Sequence, residues 1–179
     1  VPELYHITGL PPGHTYTLHK LLWLKENHQA VLEGAAGWLA VCDWIAVCMG
    51  AVPCMGYSQA SRTLALDLAR RCWWLEGLST AGLSAGLFPP LVAEGSRIGS
   101  VSEQAARLTG LQRGTPIYLA GHDHVCGALA VGVIAPGVVL DSTGTTEAEL
   151  TTISQVSPYL AQADLAFCLG CHVVRDTCY

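Results

Sequence analysis

Residues 116–147 read Pro-Ile-Tyr-Leu-Ala-Gly-His-Asp-His-Val-Cys-Gly-Ala-Leu-Ala-Val-Gly-Val-Ile-Ala-Pro-Gly-Val-Val-Leu-Asp-Ser-Thr-Gly-Thr-Thr-Glu. Ile117 to Ala120 is a short apolar run between Pro116 and Gly121, the pattern of a buried strand. Gly121 ends it, and three polar residues follow, His122, Asp123 and His124. Val125, Ala128, Leu129 and Gly132 then recur at helical spacing. The stretch therefore predicts a strand, a tight turn bearing one carboxylate, and a helix. A second apolar run, Val138 to Leu140, predicts another strand leading into Asp141-Ser142-Thr143-Gly144-Thr145-Thr146. Ligands of open α/β sheets gather at the carboxyl ends of strands. One acidic end and one hydroxyl-rich end suit a site that takes a proton and holds a phosphate.

Working outward, Lys20-Leu21-Leu22-Trp23-Leu24-Lys25-Glu26-Asn27 and Tyr57-Ser58-Gln59-Ala60-Ser61-Arg62-Thr63 precede this stretch, and Gly170-Cys171-His172-Val173-Val174 follows it. Taken with Gly121-His122-Asp123-His124, Gly132 to Gly137 and Asp141 to Glu147, these segments resemble the FGGY carbohydrate kinase family of glycerol, xylulose, fuculose and gluconate kinases. The matches run from about Leu4 to Leu150 in the family's order. The resemblance implies an α/β fold of the ribonuclease H-like, actin-like ATPase type, here incomplete. Residues 1–140 would be the later part of a first domain and residues 141–179 the beginning of a second.

The same resemblance implies ATP-dependent phosphorylation of a sugar or polyol hydroxyl, with ATP and Mg²⁺ as cofactors, in a cytoplasmic and homodimeric parent enzyme. It assigns the catalytic base to Asp123. His122 and His124 would either bond substrate hydroxyls or brace the loop. His14, Thr15 and Tyr16 lie before the Lys20 motif, where the family's loop can border the sugar; an ordinary surface loop is the alternative. Gly144, Thr145 and Thr143 would meet the ATP phosphates, with Ser142 nearby. Glu147 receives no role. The family's Asp-x-Gly-Thr phosphate loop and glycine-rich adenosine segment are missing from the chain. It therefore reads as a fragment, inactive by itself, whose residues 151–179 would have no core to join.

The chemistry of Asp123 stands on its own terms. A sugar hydroxyl is a poor nucleophile, and its proton must leave as the phosphoryl group arrives. A carboxylate within hydrogen-bond reach accepts that proton and orients the oxygen. Other readings use the same or different residues. A catalytically inactive sugar-binding relative would keep the fold. His122, Asp123 and His124 could ligate a metal, since two His and one carboxylate form a known ligand set. Cys168-Leu169-Gly170-Cys171-His172 has the form of a c-type haem attachment motif, and the same residues could contribute to a zinc site lacking an obvious fourth ligand.

Composition bounds the remainder. The chain has 179 residues, 51% hydrophobic and 13% charged, enough for a real core and too apolar for disorder. A net charge of −5 without a basic cluster argues against a nucleic-acid partner. No charged-then-apolar leader is seen at Val1-Pro2-Glu3. Residues 35–55 are apolar apart from Asp43, but Gly, Pro and Trp interrupt them, so no membrane span is expected. The preferred reading there is a strand at Trp38 to Val41 and a helix from Trp44 to Met49 capped by Asp43. Helices are also expected over residues 17–33, Trp73 to Leu83 and Ser100 to Leu108, the last capped by Ser102. Phe88 to Leu91 is read as an extended connector. A strand is expected from Arg62 to Arg70, with Arg62 serving a turn in preference to contacting an anion. Cys42, Cys48, Cys72 and Cys126 lie in apolar segments and are expected to pack as small hydrophobes.

Overall fold

The computed structural model describes residues 2–145, 147–154 and 167–179. Helix α1 (Pro2–Thr8) opens with proline, whose missing N–H costs nothing in a first turn. Helix α2 (Thr17–Asn27) buries Leu18 and Leu21. The expected single helix over 17–33 is divided at His28, whose amide donates to the Leu24 carbonyl at 2.7 Å. Helix α3 (Gln29–Glu33) continues beyond it and buries no residue. Only Leu32 of α3 packs against the core, and it is half-buried there.

No strand forms at Trp38 to Val41. Helix α4 (Val41–Met49) begins there instead. Asp43 sits in its first turn and not at its cap, and its Oδ2 accepts a hydrogen bond from the Ala40 amide at 3.3 Å. The carboxyl is buried, and burial pushes its pKa up to about 6 from 3.8.

Strand β1 (Met55–Gly56) leads directly into α5 (Tyr57–Ala60). Of the strand expected from Arg62 to Arg70, only β2 (Leu66–Asp67) forms, antiparallel to β3 (Cys72–Trp73). Leu64 to Leu68 are all buried, so the segment lacks the one wet face that makes an alternating strand. Trp73 lies in β3, which shortens the expected helix to α6 (Leu75–Thr80). A single 3-10 turn, Ala85–Leu87, precedes β4 (Leu91–Val92), the end of the Pro-rich connector, which lies parallel to β1. Strand β5 (Arg97–Ser100) leads to α7 (Glu103–Thr109), where Ser102 is the cap as expected, its Oγ accepting from the Ala105 amide at 3.1 Å.

The predicted strand after Thr115 is β6 (Pro116–Tyr118), antiparallel to β5, and the predicted helix is α8 (Asp123–Ala130). The next strand is longer than expected. β7 (Val139–Thr143) contains Asp141, Ser142 and Thr143, and pairs antiparallel with β8 (Glu147–Thr151). Among the described residues β6 and β7 therefore belong to different two-stranded sheets, not to neighbouring strands of one sheet.

One core cluster joins Leu10, Leu18, Leu21, Leu64 and Leu78, and a second joins Tyr5, Met55, Leu66 and Leu68. The second also holds Leu169 and Cys171, and the Leu169 amide donates to the Gly9 carbonyl at 2.8 Å. This corrects the expectation of a coreless tail for residues 167–179; residues 155–166 lie outside the described part. The cysteine expectation is corrected too. Cys42, Cys48 and Cys72 are exposed and Cys126 is half-buried, whereas Cys54 and Cys171 are the buried ones. Among the described residues no helix is long and apolar enough to cross a membrane.

The raised pKa of Asp43 has a definite sign. The unfolded chain gives up this proton first, so the group's stabilising contribution is present below about pH 4 and is lost as pH rises towards the folded value. The full loss is about 3 kcal/mol at 1.36 kcal/mol per unit. Asp43→Asn is expected to remove this component, so that urea unfolding at about pH 4 and about pH 7 shows a smaller pH-dependent loss in the variant than in the parent chain.

Candidate active site

The turn before α8 is tightly held. Gly121 adopts φ +128, and a Cβ there would lie 2.5 Å from Ser58 Oγ and 2.7 Å from Val173 Cγ1. Only glycine combines that backbone with that space. Ser58 is fully buried. Its Oγ accepts a hydrogen bond from the His122 amide at 3.0 Å, and its own amide donates to Glu94 Oε1 at 2.7 Å. Residues from α5 and from the loop after β4 thus fix the start of α8. Ser58 lies within the Tyr57–Thr63 segment quoted from sequence but receives no role there, and Glu94 is not singled out, because a buried serine in a short helix carries no local signature of what it holds.

Asp123 is the first residue of α8, and its side chain is 86% exposed. A carboxylate is favoured at a helix N-terminus, and Oδ1 accepts from the His124 amide at 2.8 Å. His122 differs sharply from its neighbour. Its side chain is largely buried, and Nδ1 lies 3.3 Å from Asp123 Oδ1 without making a hydrogen bond. Burial lowers its pKa, which the Asp123 charge opposes and the Arg62 and His124 charges reinforce. The imidazole is therefore neutral near pH 7, and the close approach is no ion pair. His124 is exposed and stacks on His122 with ring centroids 5.8 Å apart.

Thr15 and Tyr16 line a cleft of about 410 Å³ together with Lys20, Gln59 and Arg62. The Arg62 guanidinium sits over the Tyr16 ring, 5.5 Å from its centroid, and the Tyr16 hydroxyl contacts Cys168 Sγ at 3.3 Å. Burial, with the Cys168 contact behind it, pushes the Tyr16 phenol up to about 12. Arg62 does serve the expected turn, donating its amide to the Gln59 carbonyl at 3.0 Å. Its side chain nevertheless lines the cleft, and its charge is felt at His122. Gln59 also lines a neighbouring cavity of about 200 Å³ that reaches Asp43 and Gly121. His14 is separated from Thr15 and Tyr16, in a hollow with His19 and Trp23.

Thr143, Gly144 and Thr145 are exposed at the tip of the β7–β8 hairpin. The Thr143 hydroxyl donates to Asp141 Oδ1 at 3.5 Å. Helix α8 packs on β8 through Val125, Ala128 and Leu150, so the hairpin shares a core cluster with the helix that Asp123 begins. They line none of the cavities above in common.

The alternative ligand sets fare differently. Among the described residues no group of three or more His, Cys, Asp or Glu side chains is placed to hold a metal ion. That removes the His122-Asp123-His124 metal reading and a zinc site at Cys168, Cys171 and His172. It also means that no step through Mg²⁺ follows from these residues. Cys171 and His172 are buried, and His172 Nδ1 accepts from the Val174 amide at 3.0 Å, so this pair does not present the open face that covalent haem attachment needs.

Residues 1–130 match the family model for the N-terminal domain of the FGGY family of carbohydrate kinases. The chain belongs to the FGGY family. Xylulose kinase of Bacillus subtilis (strain 168) is 35% identical over 130 residues, which is 73% of this chain and 26% of that protein. L-fuculokinase of Escherichia coli (strain K12) is 34% identical over 158 residues, 88% of this chain and 33% of that protein. The chain thus spans between a quarter and a third of the length of these curated relatives. The crystal structure of xylulose kinase from Rhodospirillum rubrum superposes with a TM-score of 0.87 at 24% identity, over 98% of this chain and 35% of that one. The fold is accordingly a partial α/β unit of the FGGY, actin-like type, as the sequence resemblance implied.

Replacing Ser58 by Ala leaves the His122 amide without its partner in a buried setting. A buried unsatisfied donor costs about 1–3 kcal/mol, and the variant is expected to lose that much stability in urea unfolding.

Proposed function

We propose that this FGGY segment belongs to an ATP-dependent kinase that phosphorylates a hydroxyl of a sugar or polyol, with Asp123 as general base. The observation that carries the reading is the pairing of an open carboxylate with a buried, unpartnered imidazole nitrogen 3.3 Å away. A substrate hydroxyl lying against the open carboxylate would donate to Asp123, whose Oδ1 is oriented by the His124 amide and backed on its inner side by the His122 imidazole. As the substrate oxygen bonds to the γ-phosphorus, its proton passes to the carboxylate and the bond to the ADP oxygen breaks. His124, Thr15 and Tyr16 are proposed as further sugar contacts, with Arg62 holding the Tyr16 ring in place.

Thr143, Gly144 and Thr145 are proposed to meet the ATP phosphates. Freed amides and a hydroxyl at a hairpin tip suit terminal phosphate oxygens, and Mg²⁺ would arrive on the nucleotide. Residues 1–140 are proposed to lie in the first domain and 141–179 to begin the second, their residues 167–179 packing on the first, with the remainder of the second domain in the parent closing over the acid and excluding water. The parent is proposed to be cytoplasmic and homodimeric. The isolated segment is proposed to be inactive.

The test is Asp123→Asn in the full-length parent enzyme. Turnover is expected to fall by about 10²–10⁴-fold, the usual worth of a positioned base, while sugar binding measured by calorimetry is retained. Unchanged turnover would remove the base assignment.

A further inference from the structure

The chain carries eight cysteines, and the chemistry proposed for Asp123 uses none of them. Two face each other. The chain ends in a hairpin in which Gly170 and Tyr179 exchange amide–carbonyl bonds, each at 3.0 Å, and the His172 amide donates to the Thr177 carbonyl at 2.9 Å. Cys171 and Cys178 are directly opposed between these bonded residues. Their own backbone groups point elsewhere: the Cys171 amide donates to Ser61 Oγ at 3.2 Å, and the Cys178 carbonyl accepts from the Ile153 amide at 2.9 Å. An opposed pair that exchanges no bonds is the closely spaced kind, with Cα atoms roughly 4.5 Å apart and both side chains on one face. A disulfide spans Cα separations of roughly 4.4–6.8 Å. The two thiols also sense each other electrostatically, since Cys178 contributes to raising the Cys171 pKa.

We propose that Cys171 and Cys178 form a reversible cross-strand disulfide, a modification site whose co-reactant is a low-molecular-weight disulfide. Cys178 is partly exposed and Cys171 is buried, which sets the order of events. The Cys178 thiolate attacks one sulfur of the small disulfide, expelling one small thiol and leaving a mixed disulfide on the protein. Cys171 then loses its proton and attacks the Cys178 sulfur, and the second small thiol leaves. Two protein thiols are oxidised to one disulfide, and one small disulfide is reduced to two thiols. Burial pushes the Cys171 thiol up to about 12, so closure is expected to accelerate as pH rises. Cys168, the nearest competitor in sequence, is engaged with the Tyr16 hydroxyl. The bond would fasten the strand held by Ser61 to the strand held by Ile153.

Mass spectrometry of the intact 179-residue chain, treated with oxidised glutathione and digested without reduction, tests this. Trypsin cuts after Arg175 and so separates Cys178 from Cys171. The expected product joins peptide 176–179 to peptide 114–175 with loss of two hydrogens, and fragmentation places the link at Cys171. It is expected to persist in Cys168→Ser, to disappear in Cys171→Ser, and to lose its preference for Cys171 when the chain is treated in urea. A link to Cys168 or Cys126 in the folded chain would overturn the proposal. So would a Cys178 that keeps its glutathione, or that is never modified.

Discussion

The hydrogen bond from the His122 amide to the Ser58 hydroxyl is the point on which the candidate site turns. It couples the strand–turn–helix segment to α5, and through the Ser58 amide and Glu94 to the loop after β4. The glycine before His122 lets the side chains of Ser58, Val173 and Glu94 close on the turn so tightly that no Cβ fits there. Three segments distant in sequence thereby set where α8 begins, and hence where its first residue, Asp123, holds its carboxylate. A loop acid held by backbone alone would sample many positions. This one is set by a buried serine bonded on both its hydroxyl and its amide.

Electrostatic environment separates residues that sequence treats alike. His122 and His124 flank the same acid, yet one ring is partly buried, which lowers its pKa, while the other is exposed. Asp43 and Asp123 both sit in the first turn of a helix. Asp43 is buried, and burial raises its pKa above the usual carboxylate value, whereas the Asp123 side chain is exposed. Burial decides the difference, because a charge withdrawn from water is penalised whatever its place in the helix. Arg62 ties the two parts of the site together, resting on Tyr16 while its charge is felt at His122.

The C-terminal hairpin belongs to the body of the molecule. Leu169 and Cys171 enter the same core as Tyr5 and Met55, and the Tyr5 hydroxyl donates to the Phe167 carbonyl at 3.0 Å. Val173 helps enclose Gly121. The end of the chain thus packs against the turn that positions the acid, which gives the opposed cysteines a structural reach beyond their own hairpin.

Sequence alone determined the order of strand, glycine turn and helix around Asp123, the Ser102 cap and the family, because these depend on local spacing and on residue types at fixed offsets. It determined less about extent. The break at His28, the shortening of the Arg62–Arg70 strand to Leu66–Asp67, the shortened helix after Trp73 and the lengthening of β7 through Thr143 all follow from which faces find a partner, and that is a property of the packed chain. Tertiary structure alone decided that Ser58 and Glu94 support the turn, that Arg62 rests on Tyr16 with its charge felt at His122, and that Cys171 opposes Cys178. Each of these relates residues whose separation in sequence carries no periodic signal, so only the folded chain brings them together.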